Sequence, residues 1–317
     1  RRRVASSPAR TATIPNVTSK DELMPANALS SATWAAMLAV GASVGGLVTA
    51  LAGTAAAVSA KPLVHAIPAD IASLDPADIR GQQDQEIGVN VYEHLVRMKF
   101  IPQKDGTLLA DPVEVEPELA ESWKVEGPVI TFKLRRGVKF QDGTPFNAAA
   151  VKFNIERHKT MAGSNRRGEL APVTSVDVIN PSTVRLNLSA PFTPLLAQLT
   201  DRAGMMVSPK AAAAAGEKFG SHPVCSGPYK FAERVPQDRI VLEKYPNHWN
   251  KEAIHFDKVI YTPIPDATVR LANLKSGQLD FIERMATNDV EALMKDKKYK
   301  VSRITEIGYQ GITINIG

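Results

Sequence analysis

The sequence contains a single cysteine, Cys225, in 317 residues. An intramolecular disulfide and a cysteine-rich zinc site are therefore both excluded, although this count does not identify the cellular compartment. No local arrangement of histidines suggests a base for a nucleophilic thiol. We therefore interpret Cys225 as a small buried side chain.

Motifs for metal binding and phosphate chemistry are also missing. The six histidines include no pair at i, i+4 and no His-Glu-x-x-His motif, so we predict no metal site. The sequence has no phosphate-binding Gly-Lys-Ser/Thr loop. The numerous carboxylates sit at turns and helix starts without pairing. We predict no catalytic residues, no cofactor and no enzymatic activity, with an exported hydrolase as an alternative.

The body of the chain has little excess charge of either sign. Five basic and two acidic residues lie in the first 60, so this part carries +3 of the net charge of +5. The remainder has no basic stripe interleaved with aromatic residues, which a nucleic-acid-binding surface would show. We therefore predict no nucleic-acid partner.

Residues 1–60 differ in composition from the rest. No charged residue occurs from 23 to 60, and the apolar stretch 34–57 is rich in alanine, valine, leucine and glycine. It is followed by Val58 and Ala60, which suit the two positions where a signal peptidase accepts small side chains. We predict a leader with a cleaved signal peptide and export to the periplasm. A transmembrane helix is the alternative, because the stretch is long enough to span a bilayer.

From residue 61 onward, short strands and helices are predicted in alternation. The apolar residues Ile87, Val91 and Leu95 recur every four positions and predict a helix over 83–98. Strands are predicted at residues 61–67, 130–134, 173–179, 183–188, 229–235, 239–244, 258–262, 300–305 and 310–315. The order follows no strict βαβ rhythm, which favours a mixed α/β or α+β fold.

Local signals mark turns and helix ends. Residues 142–145 predict a turn, because Gly143 supplies backbone freedom. Asn147 is a predicted N-cap for a helix to about residue 158, Asp266 for a helix that ends near Gly277, and Asn288 for a further short helix.

Seven segments stand out in order along the chain. The most distinctive is residues 134–148, which contains Gln141-Asp142-Gly143-Thr144-Pro145 and is followed at the expected distance by residues 151–153 and Arg157. The other six are residues 71–76, 91–96, 117–123, 226–231, 245–249 and 264–270. Together they resemble the solute-binding proteins of family 5, the peptide, oligopeptide and nickel binders of ABC importers.

This resemblance implies a periplasmic-binding-protein-like fold with two lobes that close on a solute like a hinge. The first lobe would comprise residues 61–97 and 200–276, and residues 98–199 would form the extra domain of peptide-type binders. Residues 277–317 would cross toward the second lobe, most of which would be absent from this chain. For residues 61–317 alone we therefore expect weak or no solute binding.

The resemblance also implies a function and a site. The chain would be the extracytoplasmic component of an ABC importer, a monomer that captures di- or oligopeptides and delivers them to membrane permease subunits. A binder of nickel or another small solute is the alternative within the family. The loop of residues 77–82 would line the cleft, with Arg80, Gly81 and Gln82 as ligand contacts. Arg80 would pair with a carboxylate, and Gly81 would expose backbone.

Overall fold

The computed structural model describes residues 61–104 and 108–302, in which strands and helices are mixed. The strands are β1 Leu63–Ile67, β2 Val96–Pro102, β3 Leu108–Pro117, β4 Ala120–Glu126, β5 Val129–Leu134, β6 Val173–Asn180, β7 Thr183–Leu188, β8 Tyr229–Val235, β9 Arg239–Lys244, β10 Lys258–Pro263 and β11 Phe281–Ile282. The α-helices are α1 Gln82–Val91, α2 Ala148–Thr160, α3 Leu195–Gln198, α4 Pro209–Ala215, α5 Ala267–Ser276 and α6 Thr287–Lys295. This mixture confirms the predicted fold class.

One sheet has five strands in the order β11-β1-β10-β9-β8. Strand β1 runs parallel to both β10 and β11, whereas β9 and β8 continue the sheet with antiparallel pairing. Both faces of the parallel part are covered. Ala66 packs with Leu271 of α5 on one face, and Ile67 packs in the core that contains Ile87 of α1 on the other. Burial on both sides is what a short apolar strand in a parallel sheet requires.

A second sheet is antiparallel, with four strands in the order β4-β5-β7-β6. Alternate residues such as Ile130 and Phe132 on β5 face a separate hydrophobic core, which Val151 and Ile155 of α2 complete. The other face is largely exposed, as expected for a sheet that buries one side. Strands β2 and β3 form a two-stranded ribbon beside this sheet.

Several local predictions are confirmed. The Asn147 side chain accepts a hydrogen bond from the Ala150 N–H at 3.0 Å and begins α2. Asp266 caps α5 in the same way, and Gly277 ends that helix with a left-handed φ of 82°. The two hairpins β6–β7 and β8–β9 form where their turn residues predict. Cys225 is fully buried, as its interpretation requires.

The predicted helix over 83–98 is wrong in its second half. Helix α1 ends at Val91, and Tyr92 has extended backbone. The N–H of Gly227 donates to the Val91 carbonyl at 2.9 Å, so this oxygen is bound by a neighbouring chain segment instead of by the next helical turn. Leu95 is buried as its periodicity suggests, but it packs into the core of the four-stranded sheet.

Other predictions fail at the ends of elements or fall outside the described residues. Helix α6 begins at Thr287 after Ala286, so Asn288 lies inside its first turn and is not its N-cap. Residues 300–302 form no strand, and the rest of the two last predicted strands lies outside the described residues, as does the leader of residues 1–60. Strands β2, β3 and β4 were not predicted. Within the described ranges, no helix is long and apolar enough to cross a bilayer.

Candidate functional site

The loop from β1 to α1 is held by a buried ion pair. Arg157 of α2 donates from Nη1 to Asp75 Oδ1 at 2.8 Å and from Nη2 to Oδ2 at 2.5 Å. The same Oδ1 accepts the N–H of Ala77 at 3.0 Å. Because both charged side chains are largely removed from water, their bidentate geometry fixes the loop against the helix of the other sheet.

The middle of this loop has its backbone oxygens occupied. Asn165 donates from its backbone N–H to the carbonyl of Ala77 at 2.8 Å and from Nδ2 to that of Asp78 at 3.0 Å. Arg166 Nη2 donates to the carbonyl of Ile79 at 3.1 Å. The loop is therefore anchored by the segment that follows α2.

The three predicted contact residues differ in their surroundings. The Arg80 side chain is 73% exposed and lies 3.6 Å from Asp78 Oδ1. Gly81 is the N-cap of α1, and its N–H donates to Asp84 Oδ2 at 3.1 Å. Gln82, the first residue of α1, is half-buried, and its Nε2 is buried without a hydrogen-bond partner among the described residues. Contact of these three residues with a ligand remains a prediction.

A group of charged residues that was not predicted lies against this loop and α1. Gln85 of α1 donates from its amide to the carboxylate of Asp201, whose Oδ1 also accepts the backbone N–H of Arg202 at 2.7 Å. On the other side, Arg166 Nη1 lies 2.5 Å from Glu169 Oε1. We call Arg166, Glu169, Asp201 and Arg202 the guanidinium cluster, after its two arginines.

The charges of the guanidinium cluster balance, because Glu169 pairs with Arg166 and Asp201 Oδ1 lies 3.4 Å from Arg202 Nε. Burial lowers the pKa of Arg166 against the attraction of Glu169, and the nearby charge of Arg202 adds to the lowering. Burial also raises the pKa of Glu169, against the attraction of Arg166. The Nε of Arg166 is buried without a hydrogen-bond partner in the described part of the chain. Of the two arginines, only Arg202 has a partly accessible side chain, 24% exposed, and its guanidinium is suited to an anion such as a carboxylate.

A second polar group lies on the other side of α1, at the end of β11. His65 Nδ1 of β1 lies 3.3 Å from Glu86 Oε1 of α1. Burial and the neighbouring carboxyl of Glu283, which directly follows β11, raise the pKa of Glu86 well above its usual value. Burial lowers the pKa of His65 to about 3, so its ring is neutral near pH 7. We call Glu86 and Glu283 the acid pair.

These groups share one edge of the five-stranded sheet. The parallel strands β1, β10 and β11 all end there, and α1 begins there. In open α/β sheets, ligands bind in the crevice outside the carboxyl ends of the strands. The first two turns of α1, the guanidinium cluster and the acid pair therefore form the candidate site.

Two other features lie apart from this site. A shallow cavity of about 270 Å³ is lined by Thr144, Pro145, Asn147, Pro209 and Lys210, among others, and shares no residue with the candidate site. Within residues 61–104 and 108–302, no group of three or more histidine, cysteine or acidic side chains is arranged to hold a metal ion.

Sequence reasoning missed the guanidinium cluster because its members come from distant segments. The pair Asp201-Arg202 lies between two apolar stretches, which is a weak signal of charges near a buried surface, whereas Asn165-Arg166 lies in a polar segment without such a signal. Only the packing of both segments against α1 and its preceding loop brings the four side chains together.

Comparisons with known proteins agree with this fold. The sequence-family model described as "Bacterial extracellular solute-binding proteins, family 5 Middle" matches residues 114–317 of this chain. The glutathione-binding protein GsiB of Shigella dysenteriae is 31% identical over 274 residues, which are 86% of this chain and 51% of that protein. The chain thus spans about half the length of the curated relatives it matches.

Solved structures show the same similarity. The periplasmic binding protein DppA from Helicobacter pylori, in complex with the peptide STSA, is 28% identical with a TM-score of 0.66, covering 75% of this chain and 49% of that one. NikA from Brucella suis, in complex with Fe(III)-EDTA, is 28% identical with a TM-score of 0.63, covering 74% and 46%. The chain belongs to the bacterial extracellular solute-binding proteins of family 5.

Proposed function

We propose that this chain is part of the solute-capturing component of an ABC importer, that its solutes are short peptides, and that the candidate site contacts them. The observation that carries this proposal is the position of Arg202. Its neighbour Asp201 accepts a hydrogen bond from Gln85 of α1, and the Arg202 side chain is 24% exposed. A peptide carboxylate would pair with this guanidinium, whereas Arg166 is already bound by Glu169 and the Ile79 carbonyl.

The relatives support a peptide as the solute. The Shigella dysenteriae relative is named for glutathione, a tripeptide with two carboxylates, and the Helicobacter pylori structure contains a four-residue peptide. Polar amides at the start of α1 suit such ligands, because a peptide offers both donors and acceptors. Gln82 would bind through its buried Nε2 and Arg80 would pair with a carboxylate at the rim. Gly81 would expose its backbone carbonyl to the ligand, since its N–H already donates to Asp84 Oδ2.

A metal chelate is a second candidate. The Brucella suis relative was solved with Fe(III)-EDTA, in which carboxylates surround the metal. The guanidinium cluster would recognise those carboxylates without any direct protein ligand to the metal. This candidate needs no histidine site, in contrast to a bare nickel ion.

The proposal extends to the architecture of the whole protein. Residues 61–97 and 200–276 would form a first lobe, 98–199 an extra domain, and 277–317 the passage toward a second lobe. Closure of the two lobes would exclude water and strengthen the polar contacts with the solute. A monomer of this kind, exported by the leader of residues 1–60, would deliver its solute to membrane permease subunits without catalysing a reaction and without a nucleic-acid partner.

Titration of the 317-residue chain tests the proposal. Reduced glutathione, the peptide STSA, Fe(III)-EDTA and Ni²⁺ are each added while backbone amide NMR signals are recorded. We expect weak, saturable shifts with glutathione or the peptide at residues of α1 and of the guanidinium cluster. The solute should be recovered unchanged. Shifts with Fe(III)-EDTA alone would favour the chelate. Hydrolysis of a peptide, or peptide-induced shifts that spare α1 and the guanidinium cluster, would contradict the proposal.

A further inference from the structure

We propose that Asn165 and Arg166 are positioning residues for the solute: they hold the loop of residues 77–82 in its binding conformation without contacting the solute themselves. Both residues belong to the part of the chain predicted to form the extra domain, whereas the loop belongs to the predicted first lobe. The effect on solute binding rests on the function proposed above, whereas the effect on the loop does not.

Three consecutive carbonyl oxygens of the loop are bound by these two residues. The Asn165 backbone N–H donates to the carbonyl of Ala77 at 2.8 Å, and its Nδ2 donates to that of Asp78 at 3.0 Å. Arg166 Nη2 donates to the carbonyl of Ile79 at 3.1 Å. Because a peptide unit is planar, fixing the direction of its carbonyl also fixes the amide that follows. Asn165 and Arg166 therefore set the orientation of three successive peptide units.

The N–H groups of the same turn are bound as well. The carbonyl of Asp75 accepts the N–H groups of Asp78 and Ile79 at 2.8 Å each. Asp75 Oδ1 accepts the N–H of Ala77 at 3.0 Å and also binds Nη1 of Arg157 on α2. The turn is therefore held from outside by α2 as well as by the segment that follows this helix.

The segment that carries Asn165 and Arg166 is itself fixed. Ser164 Oγ donates to the carbonyl of His158 at 2.6 Å and accepts the Arg166 N–H at 3.2 Å. The N–H of Leu170 donates to the Arg166 carbonyl at 3.1 Å, and the Leu170 side chain is fully buried in the core of the four-stranded sheet. The position of the loop thus depends on the core that the four-stranded sheet forms with α2.

The contacts of both side chains indicate a role through the loop. Arg166 is only 4% exposed, its Nη1 binds Glu169, and its Nη2 binds the carbonyl of Ile79, the residue directly before Arg80. The apparent affinity of a site falls in proportion to the fraction of molecules that have the binding conformation. If the loop kept this conformation in about a tenth of the molecules, the solute would bind about ten times more weakly.

The test compares the wild-type chain with Asn165→Ala and Asn165→Asp. Both substitutions remove the donor to the Asp78 carbonyl, and the second keeps the size of the side chain. Without solute, we expect the backbone amides of residues 77–79 to exchange hydrogen about three- to tenfold faster, because one hydrogen bond is lost. The NMR signals of residues 80–82 should shift. Titration with glutathione should show an affinity that is weaker by about three- to tenfold.

The matched control is Asn187→Ala. Asn187 lies on β7, and its Nδ2 donates to Ser175 Oγ and to Asp177 Oδ2, both at 2.8 Å. This substitution removes a hydrogen-bonded amide from the same predicted domain but no contact with the loop. Hydrogen exchange at residues 77–79 and the affinity for glutathione should keep their wild-type values, even if Tm falls as much as in Asn165→Ala.

Arg166→Lys tests the second positioning residue. Lysine keeps the positive charge opposite Glu169, but a single ammonium group lacks the fork geometry that reaches both Glu169 and the Ile79 carbonyl. We expect faster exchange at residues 77–79 here as well. If the substituted chains do not fold, the wild-type chain decides the question. Its amides at residues 78 and 79 should exchange about a hundredfold more slowly than in an unstructured peptide, and unprotected amides would contradict the proposal.

The outcomes separate the loop from the solute. Wild-type exchange at residues 77–79 in both Asn165 variants would overturn the proposal, whether or not glutathione binding weakens. Faster exchange with unchanged affinity, or the absence of any glutathione-induced shift in the wild-type chain, would refute the effect on solute binding but leave the effect on the loop. Glutathione-induced shifts that spare α1 and the guanidinium cluster would count against the proposed function, while hydrogen exchange still decides the effect on the loop.

Discussion

Arg157 and Asp75 form a bidentate ion pair that joins the two sheets of the protein, with contacts of 2.8 and 2.5 Å. Asp75 lies in the loop after β1, and Arg157 lies on α2, which packs on the four-stranded sheet. Both residues belong to the segments that identify the family in the sequence. Their pairing in the structure gives those motifs a physical role in fixing the loop beside the candidate site.

Breaking this ion pair should strongly lower the stability of the native state. We expect Asp75→Asn to lower the free energy of unfolding by about 3–5 kcal/mol, because it leaves the Arg157 guanidinium buried without a counter-charge. Urea unfolding followed by circular dichroism measures the loss. The control is Lys152→Ala, which removes an exposed i, i+4 pair with Glu156 and should cost less than about 0.5 kcal/mol. Equal effects of the two substitutions would contradict the role of the pair.

Gly227 should tolerate no side chain. A Cβ at this position would lie 2.4 Å from the carbonyl oxygen of Val91 and 2.5 Å from its carbonyl carbon. Because both are backbone atoms at the end of α1, Gly227→Ala should destabilise the chain by about 1–3 kcal/mol or more. Gly168→Ala is the control, since a Cβ there meets nothing within 4 Å. Its Tm should be unchanged or slightly higher.

Substitution of Arg80 and of Arg202 compares the ligand contact predicted from the sequence with the guanidinium cluster found in the structure. We expect Arg202→Ala to weaken glutathione binding by tenfold or more, since charge-assisted hydrogen bonds contribute about 1.5–3 kcal/mol. The exposed Arg80 should contribute less, so Arg80→Ala should weaken binding by only a few-fold. NMR titration of both variants measures the difference. A larger effect at Arg80 would favour the loop over the guanidinium cluster as the main ligand contact.

His158 should make the protein sensitive to acid. It is fully buried, its Nε2 lies 3.3 Å from the Met205 carbonyl, and burial lowers its pKa to about 4. A histidine with a lowered pKa stabilises the native state above the unfolded pKa of about 6.5, and this contribution is lost as the pH falls toward 4. His158 should therefore add up to about 1.4 kcal/mol per pH unit to the loss of stability in this window.

The test is the pH dependence of urea unfolding. His158→Gln keeps a side-chain donor but takes up no proton, so its free energy of unfolding should change less between pH 6.5 and 4 than that of the wild type. His255 is exposed, and His255→Gln serves as the control. If the free energy of unfolding of His158→Gln falls with pH as steeply as that of the wild type, His158 does not contribute to the acid sensitivity.

Local elements were predictable because their causes are local. Asn147 and Asp266 cap helices with their own side chains, and Gly277 adopts a backbone conformation that other residues avoid. The two hairpins follow from alternating strands around turn residues. The end of α1 was not predictable in this way, since the hydrogen bond from Gly227 that occupies the Val91 carbonyl comes from a residue more than 130 positions away.

The sequence by itself determined the family, the mixed fold class and most strand positions, because motif order and residue periodicity are properties of the chain. It also placed the loop after β1 at the centre of the predicted site. Tertiary structure alone decided which charges meet there. Arg166, Glu169, Asp201 and Arg202 converge on α1, and Glu86 meets Glu283, only when two separate cores fix the helices and loops that carry them. Side chains far apart in sequence share no local pattern that could predict their contact. Burial then shifts the pKa values of those ionisable groups that lie close together in the folded chain.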